Sequence, residues 1–192
     1  FGLISSILAD SDQSKPNILF ISIDDFNDWG PSQLDGEPFD VDTPHFDKLA
    51  TRGILFNNAH CSAPSCNPSR TSIMSGLHPA STGVYSNDHD WRANEAFANI
   101  LLLPEYFQSH GYTTLGGGKI YHANQENEND RKGLFSPRGW NDFFPSLETQ
   151  LPVQSMPDVL PDRGEGKFDW GGTGKPIEEM GDHKVVNWAI EQ

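Results

Sequence analysis

Positive charge is scarce in this chain. Thirteen Lys and Arg stand against 27 Asp and Glu, a formal net charge of −14. A nucleic-acid partner is excluded on that count, because such binding needs clustered cations that displace counterions. A pocket for an anion would have to be locally positive inside a negative field, through a divalent cation or converging Lys, Arg and His. Cysteine is nearly as rare, with Cys61 and Cys66 alone among 192 residues. That rules out a disulfide framework and any Cys-x-x-Cys or Cys/His zinc spacing. A bridge between these two would close a short, easily strained loop and stabilise little. Long apolar runs are also missing, so no membrane span is expected. The apolar opening Phe1 to Ala9, followed by polar Asp10 to Ser14, reads as the tail of a secretory signal or as a disordered leader. From Lys15 onward the length suits one core of ordinary size.

What is present alternates between strand and helix signals. Asn17 to Ile23 is a continuous apolar, β-branched run of strand length, as in a strand buried on both faces of a parallel sheet. It ends at Asp24-Asp25. Thr43 as N-cap and Pro44 at the first position open a helix that runs to Thr51 and stops at Gly53. Ile54 to Asn57 reads as a short strand. A helix from Pro68 to Ser75 stops at Gly76, and another runs from Leu103-Pro104 to His110-Gly111. Tyr112 to Leu115 is strand-like and runs into Gly116-Gly117-Gly118-Lys119. Ala123 to Lys175 reads as long irregular loops, and His183 to Glu191 as a last helix. The expected fold class is α/β, a mostly parallel sheet sandwiched by helices. Ligands gather at the carboxyl ends of such strands, where Asp24, Asp25 and Lys119 fall.

Three constellations carry chemistry. The first is Cys66-Asn67-Pro68-Ser69-Arg70-Thr71-Ser72-Ile73-Met74-Ser75-Gly76. Pro68 suits the first helical position, which puts Cys66 at or just before a helix N-terminus, where free amides and the dipole favour an anion. Arg70 falls in the first turn, able to pair with an oxyanion. The plainer alternative is a free thiol beside a helix cap. The second is Asp24-Asp25, either a solvated turn or carboxylate ligands for a hard divalent cation. The third is Gly118-Lys119-Ile120-Tyr121-His122, where a Gly-rich strand end lets backbone approach a ligand and Lys119 and His122 can face one site. Each of those two side chains is otherwise an ordinary surface lysine and a satisfied histidine.

The first run resembles the signature of the type I, formylglycine-dependent sulfatases, C-x-P-S-R-x-x-x-x-x-G, and Gly76-Leu77-His78-Pro79 through Thr82-Gly83-Val84-Tyr85 resembles its continuation. The family has Arg or Lys where this chain has Leu77. Thr43 to Ala50 and Gly53 to Ala59 resemble its framework, with His45 as a surface residue. Val84-Tyr85 through Asp90-Trp91-Arg92, Leu103 to Tyr112 and Gly118 to His122 are similar to the iduronate-2-sulfatase branch. The resemblance is good over Lys15 to His122 and faint beyond.

That resemblance implies an alkaline-phosphatase-like fold of which this chain, from residue 15 to 192, is the N-terminal part of the catalytic domain. It implies that Cys66 is converted to formylglycine by a generating enzyme. It implies Asp24, Asp25 and the derivative of Cys66 around calcium or magnesium, and Arg70, Lys119 and His122 on the sulfate. Trp91 and Arg92 become substrate-pocket candidates, Arg92 by forking onto a uronate carboxylate. The remaining ligands are expected from the rest of the same sulfatase as a second chain. The expected substrate is a sulfated saccharide, in a secreted, periplasmic or lysosome-like compartment. Two other classes stay open: a non-catalytic fragment of the same fold, and a phosphoester hydrolase of the same superfamily.

Overall fold

The computed structural model describes residues 15–24, 26, 42–122, 138–145 and 174–192. Asp25, the leader over residues 1–14 and most of the expected loop region lie outside the described residues. The chain forms two units, Phe1–Asn58 and Ala59–Gln192.

In the first unit, helix α1 spans Pro44–Ala50. Pro44 sits in its first turn, where a missing N–H costs nothing. The Thr43 hydroxyl donates to the Asp47 carboxylate at 3.3 Å and closes that turn. Phe26 stacks on Phe46, ring centroids 5.4 Å apart. The expected buried strand over 17–23 is a correction: these residues join no ladder, and Leu19 is 79% exposed. The expected strand over 54–57 likewise joins no ladder and is exposed. A strand must give its backbone groups to a neighbour and its apolar faces to covering layers, and neither is met among the described residues of this unit.

The second unit holds the core. Helix α2 is Cys66–Ser75, α3 is Pro79–Thr82 and α4 is Leu103–Ser109. Single 3₁₀ turns lie at Trp91–Ala93 and Glu95–Phe97. Strands β1, Leu115–Gly117, and β2, Asp142–Phe144, pair in parallel with Gly116 opposite Phe143. After a 3₁₀ turn at Ile177–Glu179, helix α5 spans Gly181–Glu191. The strand expected over 112–115 therefore forms later, over 115–117, and β2 lies where only loop was expected. Among the described residues the α/β class is borne out by this small parallel sheet with helices beside it.

Met74, Val84, Trp91, Phe97, Leu102 and Tyr121 form the core, with Ile100, Leu103 and Ile120 packed against it. Trp91 stacks on Tyr121 at 5.2 Å and meets Phe97 edge-on at 5.7 Å. Each large apolar side chain buried this way stabilises by about 1.5–3 kcal/mol. The sheet packs closely. A Cβ on Gly116 would lie 2.7 Å from the Phe143 ring, and Trp188 of α5 stacks on Phe144 at 5.9 Å. Arg138 ties the far side together. Its Nε donates to Glu105 at 2.6 Å while its Nη1 and Nη2 donate to the carbonyls of Phe97 and Ile100.

Candidate functional site

Helix α2 begins at Cys66 itself, two residues earlier than Pro68 predicts, with Ser65 as an extended N-cap. Proline is tolerated this far into the first turn because the amides there have no intrahelical acceptor. Gly76, in the left-handed conformation, ends the helix as expected. Cys66 is half-buried, and both cysteines are free thiols.

The start of α2 is pinned from the 86–89 loop. The Asn87 carboxamide oxygen accepts from the Ser65 hydroxyl and from the Asn67 N–H, each at 2.9 Å. The Asn67 side chain is 2% exposed and donates to the carbonyls of Ser86, at 3.0 Å, and His89, at 2.6 Å. Its oxygen accepts from the Thr71 hydroxyl one turn later. Nothing in the sequence points to Asn87, since Ser86-Asn87-Asp88-His89 reads only as a polar turn.

The chain leaves β1 through Gly118, whose φ of 72° turns it toward α2. Lys119 follows, exposed, with Nζ 3.9 Å from Cys66 Sγ. Arg70 faces the same segment. Its Nη1 donates to the carbonyls of Lys119 and Ile120, the second at 3.2 Å. Tyr121 then plugs into the core and leaves His122 half-buried beside it. Lys119, far off in sequence, is thus brought to Cys66 and Arg70 of α2, with His122 three positions further along the same strap. Arg70 spends hydrogen bonds on the strap's backbone, a positioning duty that the sequence does not disclose.

Burial pushes the Tyr121 hydroxyl up to about 12, against a smaller lowering by the Trp140 side chain. The Glu105 carboxylate adds to the rise, and the Arg138 guanidinium opposes it. The Tyr121 hydroxyl and the Trp140 indole N–H are both buried, and neither reaches hydrogen-bond geometry with a described residue.

Of the remaining expected site residues, Trp91 and Arg92 lie in the 3₁₀ turn Trp91–Ala93. Trp91 is 4% exposed and packs in the core, stacked on Tyr121 and edge-on to Phe97. Arg92 keeps exposed surface, and its Nε donates to Asp90 at 2.8 Å. Asp24 is exposed at the end of the apolar run in the first unit, and His45 is exposed on α1 as expected. Among the described residues no group of three or more His, Cys, Asp or Glu side chains is placed to hold a metal ion. No helix among them is long and apolar enough to cross a membrane.

A helix N-terminus, an arginine one turn in and an ammonium close to the thiol make a site suited to an anion. The sulfatase family model matches residues 16–185, and the chain belongs to that family. It is 36% identical over 187 residues to a sulfatase of Formosa agariphila, covering 93% of this chain and 36% of that protein. It is 31% identical over 173 residues to an ulvan-active sulfatase of the same organism, covering 88% of this chain and 31% of the relative. Human iduronate 2-sulfatase is 33% identical over 148 residues, covering 75% of this chain and 25% of its own length. The chain therefore spans between 25% and 36% of the length of these three relatives.

Proposed function

We propose that this chain carries the nucleophile-bearing part of a sulfuric ester hydrolase that cleaves sulfate from a saccharide containing a uronate. The observation that carries the reading is the approach of Lys119 Nζ to Cys66 Sγ at the N-terminus of α2, on a strap held by Arg70. Membership of the sulfatase family supports the sulfate ester. Similarity to proteins named ulvan-active sulfatase and iduronate 2-sulfatase supports the saccharide.

Cys66, converted to formylglycine by a generating enzyme, supplies a hydrated aldehyde whose hydroxyl would attack sulfur as the S–O bond to the saccharide alcohol breaks, the alcohol leaving with the proton. Loss of sulfate from the hydrate, with its second hydroxyl giving up a proton, would regenerate the aldehyde. Every other task falls to side chains of the chain and of the remainder of the sulfatase. Lys119 neutralises sulfate oxygens and supplies positive charge to the leaving oxygen. Arg70 holds the strap that places Lys119 and adds positive charge beside the nucleophile. His122 orients the sulfate or the nucleophile from the same strap. Arg92 and its neighbour Trp91 are the substrate-binding pair, Arg92 by recognising a uronate carboxylate. Preplaced donors of this kind are typically worth about 3–4 kcal/mol each in the transition state.

A divalent cation, calcium or magnesium, belongs to the proposal through the oxygen chemistry of Asp24 and Asp25, with the derivative of Cys66 as a further ligand. The described residues do not by themselves assemble a cation site. A bound cation would supply positive charge to the nucleophile and the sulfate oxygens. The alkaline-phosphatase-like sandwich and a secreted, periplasmic or lysosome-like location complete the reading.

Two measurements test it. Expression beside a formylglycine-generating enzyme, followed by mass spectrometry of the Cys66 peptide, is expected to show the Cβ of Cys66 oxidised to an aldehyde with loss of its sulfur. The complete enzyme, assayed with calcium or with chelator, is expected to hydrolyse sulfated uronates ahead of aryl sulfates and phosphate esters. A peptide that stays a thiol points to a non-catalytic fragment. Preference for phosphate esters points to a phosphoester hydrolase. Either result overturns the proposal.

A further inference from the structure

The contacts around α2 contain a device that neither the family signature nor the strap from β1 explains. The first amides of a helix lack intrahelical acceptors, and a side chain of the N-cap residue ordinarily serves them. In α2 the N-cap is Ser65, yet its side chain makes no capping bond. Its hydroxyl donates outward to Asn87 instead, at 2.9 Å. The same Asn87 oxygen accepts the Asn67 N–H, the amide that follows Cys66 directly. The cap is therefore supplied from twenty residues away in sequence. It is locked by a second set of bonds in the opposite direction, from buried Asn67 Nδ2 to the carbonyls of Ser86 and His89.

We propose that Asn87 is a positioning residue for the nucleophile. It holds Ser65 and Asn67, the residues on either side of Cys66, and thereby fixes the direction in which the Cys66 side chain leaves the first turn of α2. The proposal rests on Cys66 being the nucleophile, but the device is a property of the folded chain and exists whether or not the enzyme is complete. Its logic is geometric. One oxygen binds the residue before Cys66 and the residue after it, so the peptide units flanking the side chain cannot rotate independently. Lys119 then meets a sulfur whose place is already set. The reciprocal bonds of Asn67 hold the 86–89 loop in register, so the oxygen of Asn87 has little freedom to leave.

The test compares the two cysteines of one molecule. Cys61 and Cys66 are alkylated with iodoacetamide at a single pH, and their peptides are followed separately by mass spectrometry. Asn87→Ala removes the acceptor, so the first turn of α2 frays. The rate at Cys66 relative to Cys61 is then expected to rise about threefold to tenfold, the range set by the loss of one helix cap. Asn87→Asp keeps an acceptor oxygen in the same place and is expected to hold the ratio at or below that of the unsubstituted chain. Cys61 is already exposed and Cys66 half-buried, so a role in overall stability alone would also raise the ratio, but only in proportion to the globally unfolded population that urea unfolding measures. A rise fully accounted for by that population overturns the proposal. An unchanged ratio in Asn87→Ala, or an Asn87→Asp chain as reactive at Cys66 as Asn87→Ala, overturns the proposal. Hydrogen exchange on the unsubstituted chain gives an answer even if both variants unfold. The Asn67 amide is expected to be protected like a mid-helix amide, and exchange as fast as an uncapped first-turn amide overturns the proposal. None of these readings uses sulfate hydrolysis, so loss of the cap and loss of the enzymatic reading are told apart.

Discussion

Replacing Tyr121 with Phe tests how the strap behind Lys119 is anchored. The Tyr121 ring is 2% exposed and stacks on Trp91, so the 119–122 segment is fastened to the core through this side chain. Burial raises its ionisation from 10.0 to about 12. The folded chain then keeps the phenolic proton over a range where the unfolded chain has released it. Stability from this group is complete below pH 10 and is lost as pH rises toward about 12. A rise of that size corresponds to about 2–3 kcal/mol. Urea unfolding at fixed pH values, followed by tryptophan fluorescence, measures the effect. The unsubstituted chain is expected to lose that amount between pH 10 and about 12 in excess of whatever Tyr121→Phe loses. At pH 7 the substitution is expected to change stability by no more than about 1 kcal/mol, because the hydroxyl has no hydrogen-bond partner among the described residues to give up. Identical alkaline losses in the two chains would refute the reasoning, and so would a large cost at neutral pH.

Other substitutions probe the site and its frame. Lys119→Met is expected to leave the unfolding temperature unchanged, since the ammonium is exposed, and to lower kcat of the complete enzyme about 10²–10³-fold. Arg70→Lys loses the Nη1 that donates to both the Lys119 and Ile120 carbonyls, and is expected to cost about 1–2 kcal/mol and to speed hydrogen exchange along the strap. Gly116→Ala places a Cβ against the Phe143 and Trp140 rings and is expected to destabilise by about 1–3 kcal/mol in thermal unfolding.

The helices were readable because their signals are local. Thr43-Pro44 before α1, Gly76 after α2 and Pro104 in the first turn of α4 each act within a few residues of the element they bound. Two helices begin two residues earlier than expected, α2 at Cys66 in place of Pro68 and α5 at Gly181 in place of His183. For α2 the cause is a local ambiguity, since proline fits anywhere in the first turn. Strands fared worse. The run 17–23 has the composition of a buried strand, yet composition supplies neither the neighbouring strand nor the covering layers. β2 escaped notice because its three residues carry no alternation long enough to read.

At the site, the cysteine run and its arginine could be found from residue types and spacing alone, because a helix N-terminus and a cation within one turn are properties of neighbouring residues. The approach of Lys119 to Cys66, the use of Arg70 to hold the strap, the removal of Trp91 into the core and the cap from Asn87 were decided by the tertiary structure. Each joins segments separated by tens of residues, and the pattern along a chain records which faces are apolar without recording which distant groups those faces bring into contact.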